Sequence, residues 1–308
     1  MSRALLLVLG CAAACGGNDP PARVPEPEVP VRAATGAEPL LAVLPAGAAL
    51  IVELDLARVR ANPTAAPMVH ALGAAPVMVR EEDAMLALGQ VLLQRADAVV
   101  LASYRVGGDD AATLIAVRPA NALEGTTVIG GVGLLGPKAW IERARAASGD
   151  SAATVAGDTR LLAVRASAMP AEASGAALRI SGVLDFEARV AMASRFELDV
   201  VPASISVWGD LADDLAVVAL LGGDKLGEGA SYARAVKRVL DRMADEPALV
   251  WLGLGGVVGG ATIESSERIA RVVLLMSPKR FTLTSKRLVK QLSARPAPAP
   301  APAPPDAL

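Results

Sequence analysis

Apolar and polar residues alternate through Ala49-Leu50-Ile51-Val52-Glu53-Leu54-Asp55-Leu56-Ala57-Arg58, the period of two expected of a strand with one face turned inward. The run closes on Asp and Arg, and 178–189 repeats both pattern and ending, with Asp185 and Arg189 in the matching places. Two further pairs of apolar runs, 98–104 with 113–118 and 204–211 with 215–221, read as hairpins. Each hairpin turn carries adjacent acids, Asp109-Asp110 and Asp213-Asp214. Later strands end in Leu-Leu and run into Pro-Lys, at Leu134-Leu135-Gly136-Pro137-Lys138 and at Leu274-Leu275-Met276-Ser277-Pro278-Lys279. A helix whose first turn tolerates proline follows each. The helical spacing predicts helices over 63–73, 83–95, 137–147, 186–195, 231–244 and 281–292. In 231–244, Ala235, Val236, Val239, Leu240 and Met243 share one side while Arg234, Lys237, Arg238, Asp241 and Arg242 cover the other. That helix is expected to lie with its apolar side on a sheet.

Order, element type and punctuation recur along the chain. The fold class is therefore read as α+β, two related repeats of mostly antiparallel strands with helices packed on the sheets, over 40–175 and 176–293. The preceding stretch GGNDPPARVPEPEVPVRAATGAEP is dense in Pro, alternates in charge and has no apolar period, so 15–39 reads as an anchor followed by a semi-rigid tether. At the other end PAPAPAPAPP favours extended polyproline II and packs no core, making 294–308 a tail.

Residues 1–14 have the form of a signal peptide: a short basic start at Arg3, then an apolar run from Ala4 to Ala14 too short to span a bilayer. Small residues before a cysteine, followed by Gly16-Gly17-Asn18-Asp19, resemble the lipobox of bacterial lipoproteins. In that family the signal is cut before the cysteine, whose thiol takes diacylglycerol. Cys15 leaves the fuller apolar run and is the favoured site; Cys11, after Val8-Leu9-Gly10, is the alternative. The same resemblance, with Gly16 in place of Asp after the cysteine, implies the outer membrane. The body resembles a family of exported bacterial envelope proteins that open with an LPA-like turn and a strand ending in Asp-Leu, here Leu44-Pro45-Ala46 and Leu54-Asp55-Leu56. They continue with a strand, Gly-Pro, a helix, an acidic loop and a helix, here over 132–169. The resemblance implies location and architecture and transfers no catalytic residue.

Composition narrows the chemistry. Hydrophobic residues make up 53% of the chain, yet there are only three Phe, three Trp and two Tyr, so the core has to be filled by small aliphatic side chains. Thirty Lys and Arg against 32 Asp and Glu give a net charge of −2, without the basic footprint that phosphate backbones require, so nucleic acid is not an expected partner. One His and two Cys do not build a zinc or iron–sulfur site.

The remaining constellations are weighed against structural roles. His70 would have to be the base of any Ser-His pair, but no G-x-S-x-G elbow accompanies it, and a surface or capping role is expected. Gly253-Leu254-Gly255-Gly256-Val257-Val258-Gly259-Gly260 lacks the following helix and the distant acid of a dinucleotide loop. Close packing on a sheet is expected there, a membrane or partner contact being the alternative. The Asp109-Asp110 and Asp213-Asp214 pairs are expected to be solvated turns, and Gly222-Gly223-Asp224-Lys225 lacks P-loop spacing. Asp55/Arg58 and Asp185/Arg189 are the charged pairs for which a shared cleft is attractive; helix capping by Asp beside an exposed Arg is the structural account.

No catalytic, cofactor-binding or metal-ligating residue is assigned, and no enzymatic activity is expected. The chain reads as a lipid-anchored envelope protein facing the periplasm or the cell surface, a binding or scaffolding module whose partners are the membrane, through its lipid, and an envelope protein or apolar ligand. A carrier of lipid or another apolar ligand is the alternative. Labelled palmitate fed to cells is expected to enter the full chain and Cys11→Ser but not Cys15→Ser; the reverse pattern assigns the anchor to Cys11.

Overall fold

The computed structural model describes residues 35–74, 84–171, 173, 175–196, 198–212 and 214–293. The signal, Cys11, Cys15, most of the tether, the tail and Asp213 lie outside the described residues. The strands are β1 (Leu50–Asp55), β2 (Ala98–Tyr104), β3 (Ala112–Arg118), β4 (Thr127–Ile129), β5 (Val132–Leu135), β6 (Leu178–Val183), β7 (Ser204–Leu211), β8 (Leu215–Gly222), β9 (Thr262–Ser265) and β10 (Ile269–Met276). They form one ten-stranded sheet in the order β4-β5-β3-β2-β1-β6-β7-β8-β10-β9. Every pairing is antiparallel. The chain is thus α+β. Outward from the central β1–β6 seam the order is β1-β2-β3-β5-β4 on one side and β6-β7-β8-β10-β9 on the other, the same connectivity twice.

The helices are α1 (Leu56–Ala61), α2 (Ala66–Ala74), α3 (Ala84–Arg95), α4 (Lys138–Ala147), α5 (Thr159–Ser167), α6 (Phe186–Phe196), α7 (Glu228–Ala244), α8 (Pro247–Leu252), α9 (Gly255–Val258) and α10 (Pro278–Ser293), preceded by a 3-10 helix over Glu38–Val43. The strand expected to run to Arg58 stops at Asp55. The Asp55 carboxylate accepts the Arg58 backbone N–H at 2.9 Å and so starts α1. Asp185 acts alike at α6, accepting from Ala188 N–H at 2.8 Å. The helix expected from position 63 starts at Ala66, because the Asn62 side chain first accepts from Thr64 and Ala65 N–H at 2.9 and 3.0 Å and holds a turn there. Proline opens α10 three residues before the expected start, its missing N–H costing nothing in the first turn. The apolar side of α7 does lie on the sheet, with Leu240 packed among Val217, Val272 and Leu274.

The register divides the sheet into two sides. On the first, Ile51, Val100, Ala102, Tyr104, Leu114 and Leu134 are covered by the 3-10 helix and by α4 and α5. On the second, Val99, Ile115 and Val117 lie beneath Leu92 of α3, while Val207, Val217, Leu274 and Met276 lie beneath α7 to α10. The helix after β5 therefore covers the first side, whereas the helix after β10 covers the second.

Residues 35–44 form a strap on the first side. Leu40, Leu41 and Leu44 are at most 1% exposed, and the Tyr104 hydroxyl donates to Pro45 O at 2.9 Å. Thr35 and Ala37, placed by composition in the tether, belong to this buried strap. Beneath it lies an ion pair taken out of water. Glu53 on β1 and Arg165 on α5 are 1% and 3% exposed in their side chains. Arg165 donates from Nε to Glu53 Oε1 at 2.6 Å and from Nη2 to Oε2 at 2.9 Å. The Thr35 hydroxyl donates to Oε2 at 2.9 Å, and Glu38 Oε2 stands 3.5 Å from Arg165 Nη2. Burial lowers the Arg165 pKa, but the hydrogen bonds and charges of Glu53 and Glu38 outweigh it and leave it raised.

Removing one member of such a pair leaves the other buried without the hydrogen bonds that offset its desolvation. Arg165→Met is expected to cost about 3–5 kcal/mol, measured by urea unfolding. A single variant as stable as the parent would contradict the account.

Candidate functional site

Two places on the described surface have the character of a site, one polar and one apolar. The polar one lies where the two halves of the sheet meet. Arg58, on α1, reaches across the seam to Asp210 on β7, its Nε and Nη2 each 2.6 Å from a different carboxylate oxygen. Such a fork-to-fork pair satisfies both oxygens at once. The Asp210 hydrogen bond chiefly raises the Arg58 pKa against desolvation, helped by the charges of Asp210 and Asp55. Asp55 is itself engaged, accepting from Gly36 N–H at 2.8 Å as well as capping α1. Beside the pair, Asn62 donates to Ala212 O at 2.6 Å. Arg58, Ala61, Asn62, Pro63, Leu211 and Ala212 line a depression of about 360 Å³. A side chain at Gly175 would place Cβ 2.5 Å from Arg58 Nη1, so a residue without Cβ is required for the guanidinium to lie there. Gly175 O also accepts the Trp208 indole N–H at 2.9 Å.

With its hydrogen-bonding groups turned on one another, this cluster acts as a clasp between the halves. The second pair expected for a shared cleft is elsewhere. β1 and β6 are antiparallel, so Asp55 and Asp185 end up at opposite ends of the seam, and Arg189 pairs with Asp224 at 3.2 Å. Neither arginine is simply exposed. Capping by the two Asp residues was legible, but Asp210, 152 positions from Arg58, carries no local signal.

His70 is exposed on α2. Asp109 and Asp110 sit in the β2–β3 turn, where Asp110 pairs with Arg105. In the glycine-rich segment Leu254, Val257 and Val258 are buried against Val272 and Leu274, and a Cβ on Gly255 would lie 2.5 Å from Ala244 O. It packs closely on the sheet, and these three apolar side chains are turned inward, away from any membrane or partner. Among the described residues no three His, Cys, Asp or Glu side chains are grouped to hold a metal. No described helix is long and apolar enough to cross a membrane.

The apolar place is the first side of the sheet over β8, β10 and β9. Outward-facing and inward-facing residues alternate cleanly along β10, with Ile269, Arg271, Val273 and Leu275 outward. An antiparallel sheet with one wet face usually turns polar residues outward, yet three of these four are aliphatic. Ile269 is 43% and Leu275 45% exposed. Leu220 of β8 is half-buried on the same side. Arg271 and Glu264, neighbours across β10 and β9, border the strip and pair at 3.2 Å. The period of two along β10 puts these residues on one face; that the face has no helix over it follows from α10 having gone to the other side.

No family model matches the chain, and no curated protein matches it. One similar solved structure is described as crystal form I of TP0453, with 9% sequence identity over 83% of this chain and 99% of that chain and a TM-score of 0.37. Likeness at this level carries no argument about the present chain.

Arg58→Ala leaves the largely buried Asp210 carboxylate unpaired and is expected to cost about 1–3 kcal/mol. A double-mutant cycle with Asp210→Ala, followed by urea unfolding, is expected to show favourable coupling between the two; additive losses would dissolve the clasp.

Proposed function

We propose that the chain is a lipid-anchored, non-catalytic binding or scaffolding module of the cell envelope, held on a Pro-rich tether and facing the periplasm or cell surface of the outer membrane. The observation that supports it best is the outward side of β10, where Ile269 and Leu275 stand 43% and 45% exposed. Aliphatic residues left in water on one face of a sheet support a docking surface. The polar clusters point the same way, since Arg58 with Asp210, and Glu53 with Arg165, spend their hydrogen-bonding capacity inside the fold. The Cys15 reading supplies the membrane attachment. The repeated strand order supports reading 40–175 and 176–293 as related repeats. An open strip favours docking of a surface over enclosure of a ligand, which distinguishes this reading from a carrier of lipid.

A photo-reactive residue at position 275 is expected to form protein adducts in cells, and one at the exposed Lys290 of α10 to form none. Absence of adducts at 275, with lipid retained in native mass spectrometry and lost on Leu275→Glu, would favour the carrier.

A further inference from the structure

We infer that the outward face of α10 is a contact surface for an anionic lipid bilayer, its cations resting on the phosphates of the headgroups. Helix α10 carries five cations, Lys279, Arg280, Lys286, Arg287 and Lys290, and has no acid between 278 and 293. At about 100° per residue these five and Leu283 fall within an arc of about 120°, with Leu283 near its middle. All six are exposed, Leu283 to 49%, while Phe281, Thr284 and Ser285 on the opposite side are buried. The chain-wide balance of −2 averages this face away.

The face is also left without acids to balance it. Among the described residues none of the five cations forms an ion pair with a carboxylate, whereas on α7 Lys237 pairs with Asp241 and Arg238 with Asp199. Lys286 and Lys290, one turn apart, repel each other where an acid at either position would attract. A partner of opposite charge relieves that repulsion. From Lys279 to Lys290 the face is a row about 16 Å long. Cations set around one exposed aliphatic side chain match a plane of phosphates with apolar chains beneath: the cations meet the headgroups and Leu283 reaches the boundary below them. The inference goes beyond the docking reading of β10 and takes from the proposed function only that the chain lies beside an envelope membrane.

The charge sets the strength of the contact. Each cation held near an anionic membrane surface raises partitioning by about fivefold, an effect that fades within about 10 Å at 0.1 M salt. Arg280 and Arg287 lie along the glycine-rich segment, where a Cβ on Gly253 would stand 2.7 Å from Arg287 Nη1 and one on Gly256 3.7 Å from Arg280 Nη2. The three lysines share a narrower arc of about 40° beside Leu283. They are therefore the positions at which charge is removed with least effect on packing.

The test is flotation of the mature chain, from position 15 onward with Cys15→Ser so that no lipid is attached, with vesicles of about 30% phosphatidylglycerol in phosphatidylcholine and with vesicles of phosphatidylcholine alone. Binding is expected on the anionic vesicles at about 50 mM NaCl, and its loss on phosphatidylcholine or at about 500 mM NaCl. Lys279→Gln/Lys286→Gln/Lys290→Gln is expected to weaken binding by roughly a hundredfold and Lys279→Arg/Lys286→Arg/Lys290→Arg to retain it, both with parental circular dichroism and melting. Leu283→Ser is expected to weaken it by about tenfold. A parent that leaves anionic vesicles unbound at about 50 mM NaCl, or a glutamine variant that binds as the parent does, overturns the proposal. In cells a photo-reactive residue at position 290 is expected to label lipid; protein adducts there would put a protein in place of the bilayer and overturn it as well. Adducts at 275 without vesicle binding leave the docking reading standing and sink this one, and vesicle binding without adducts at 275 does the reverse.

Discussion

A carboxylate and a guanidinium buried under the strap organise the first half of the molecule. Glu53 lies on a central strand opposite the buried Arg179 of β6, and a charge there is far from water. Arg165 and Thr35 answer it from two other elements. The pair therefore ties α5 and the strap to β1 with directional bonds, while Leu40, Leu41 and Leu44 supply the apolar contact. Against an equally well-packed apolar substitute, such a pair adds little stability. Its geometric consequence is larger: only a narrow range of positions for α5 and the strap keeps the guanidinium on both carboxylate oxygens.

The same strand connectivity around the seam leads to two differently clothed half-sheets. On one side α4 returns over the first face, with Trp140 stacked beside Tyr104 at a ring separation of 4.2 Å. On the other, α10 turns to the second face, where Phe281 is buried and Ser285 donates to Thr64 O at 2.7 Å. That choice binds the second half to the loop between α1 and α2 of the first. It also leaves β8 and β10 without a helix over their first side, and the exposed aliphatic strip results. The functional reading descends from where this one helix packs.

Much of the local structure was legible. Alternation located the hairpins of β2 with β3 and of β7 with β8 closely, because period two is a direct imprint of half-buried strands. The Asp residues after β1 and β6 announced helix starts through their ability to accept a backbone N–H. Glu53 was another matter. In an alternating strand a polar residue reads as solvent-facing, and its burial depends on α5 and the strap, distant in sequence or outside the pattern. Asp210 posed the same difficulty, since nothing near it marks Arg58 as its partner.

Residue order alone located the two hairpins, the Asp caps and the lack of a chain-wide basic footprint, all of which depend on neighbours within a few positions or on composition. Which face of the sheet each helix covered, which charges met across the seam and which aliphatic residues remained in water were decided only in the tertiary structure. The physical reason is that periodicity states which residues share a face, while burial depends on what arrives from elsewhere in the chain to cover it.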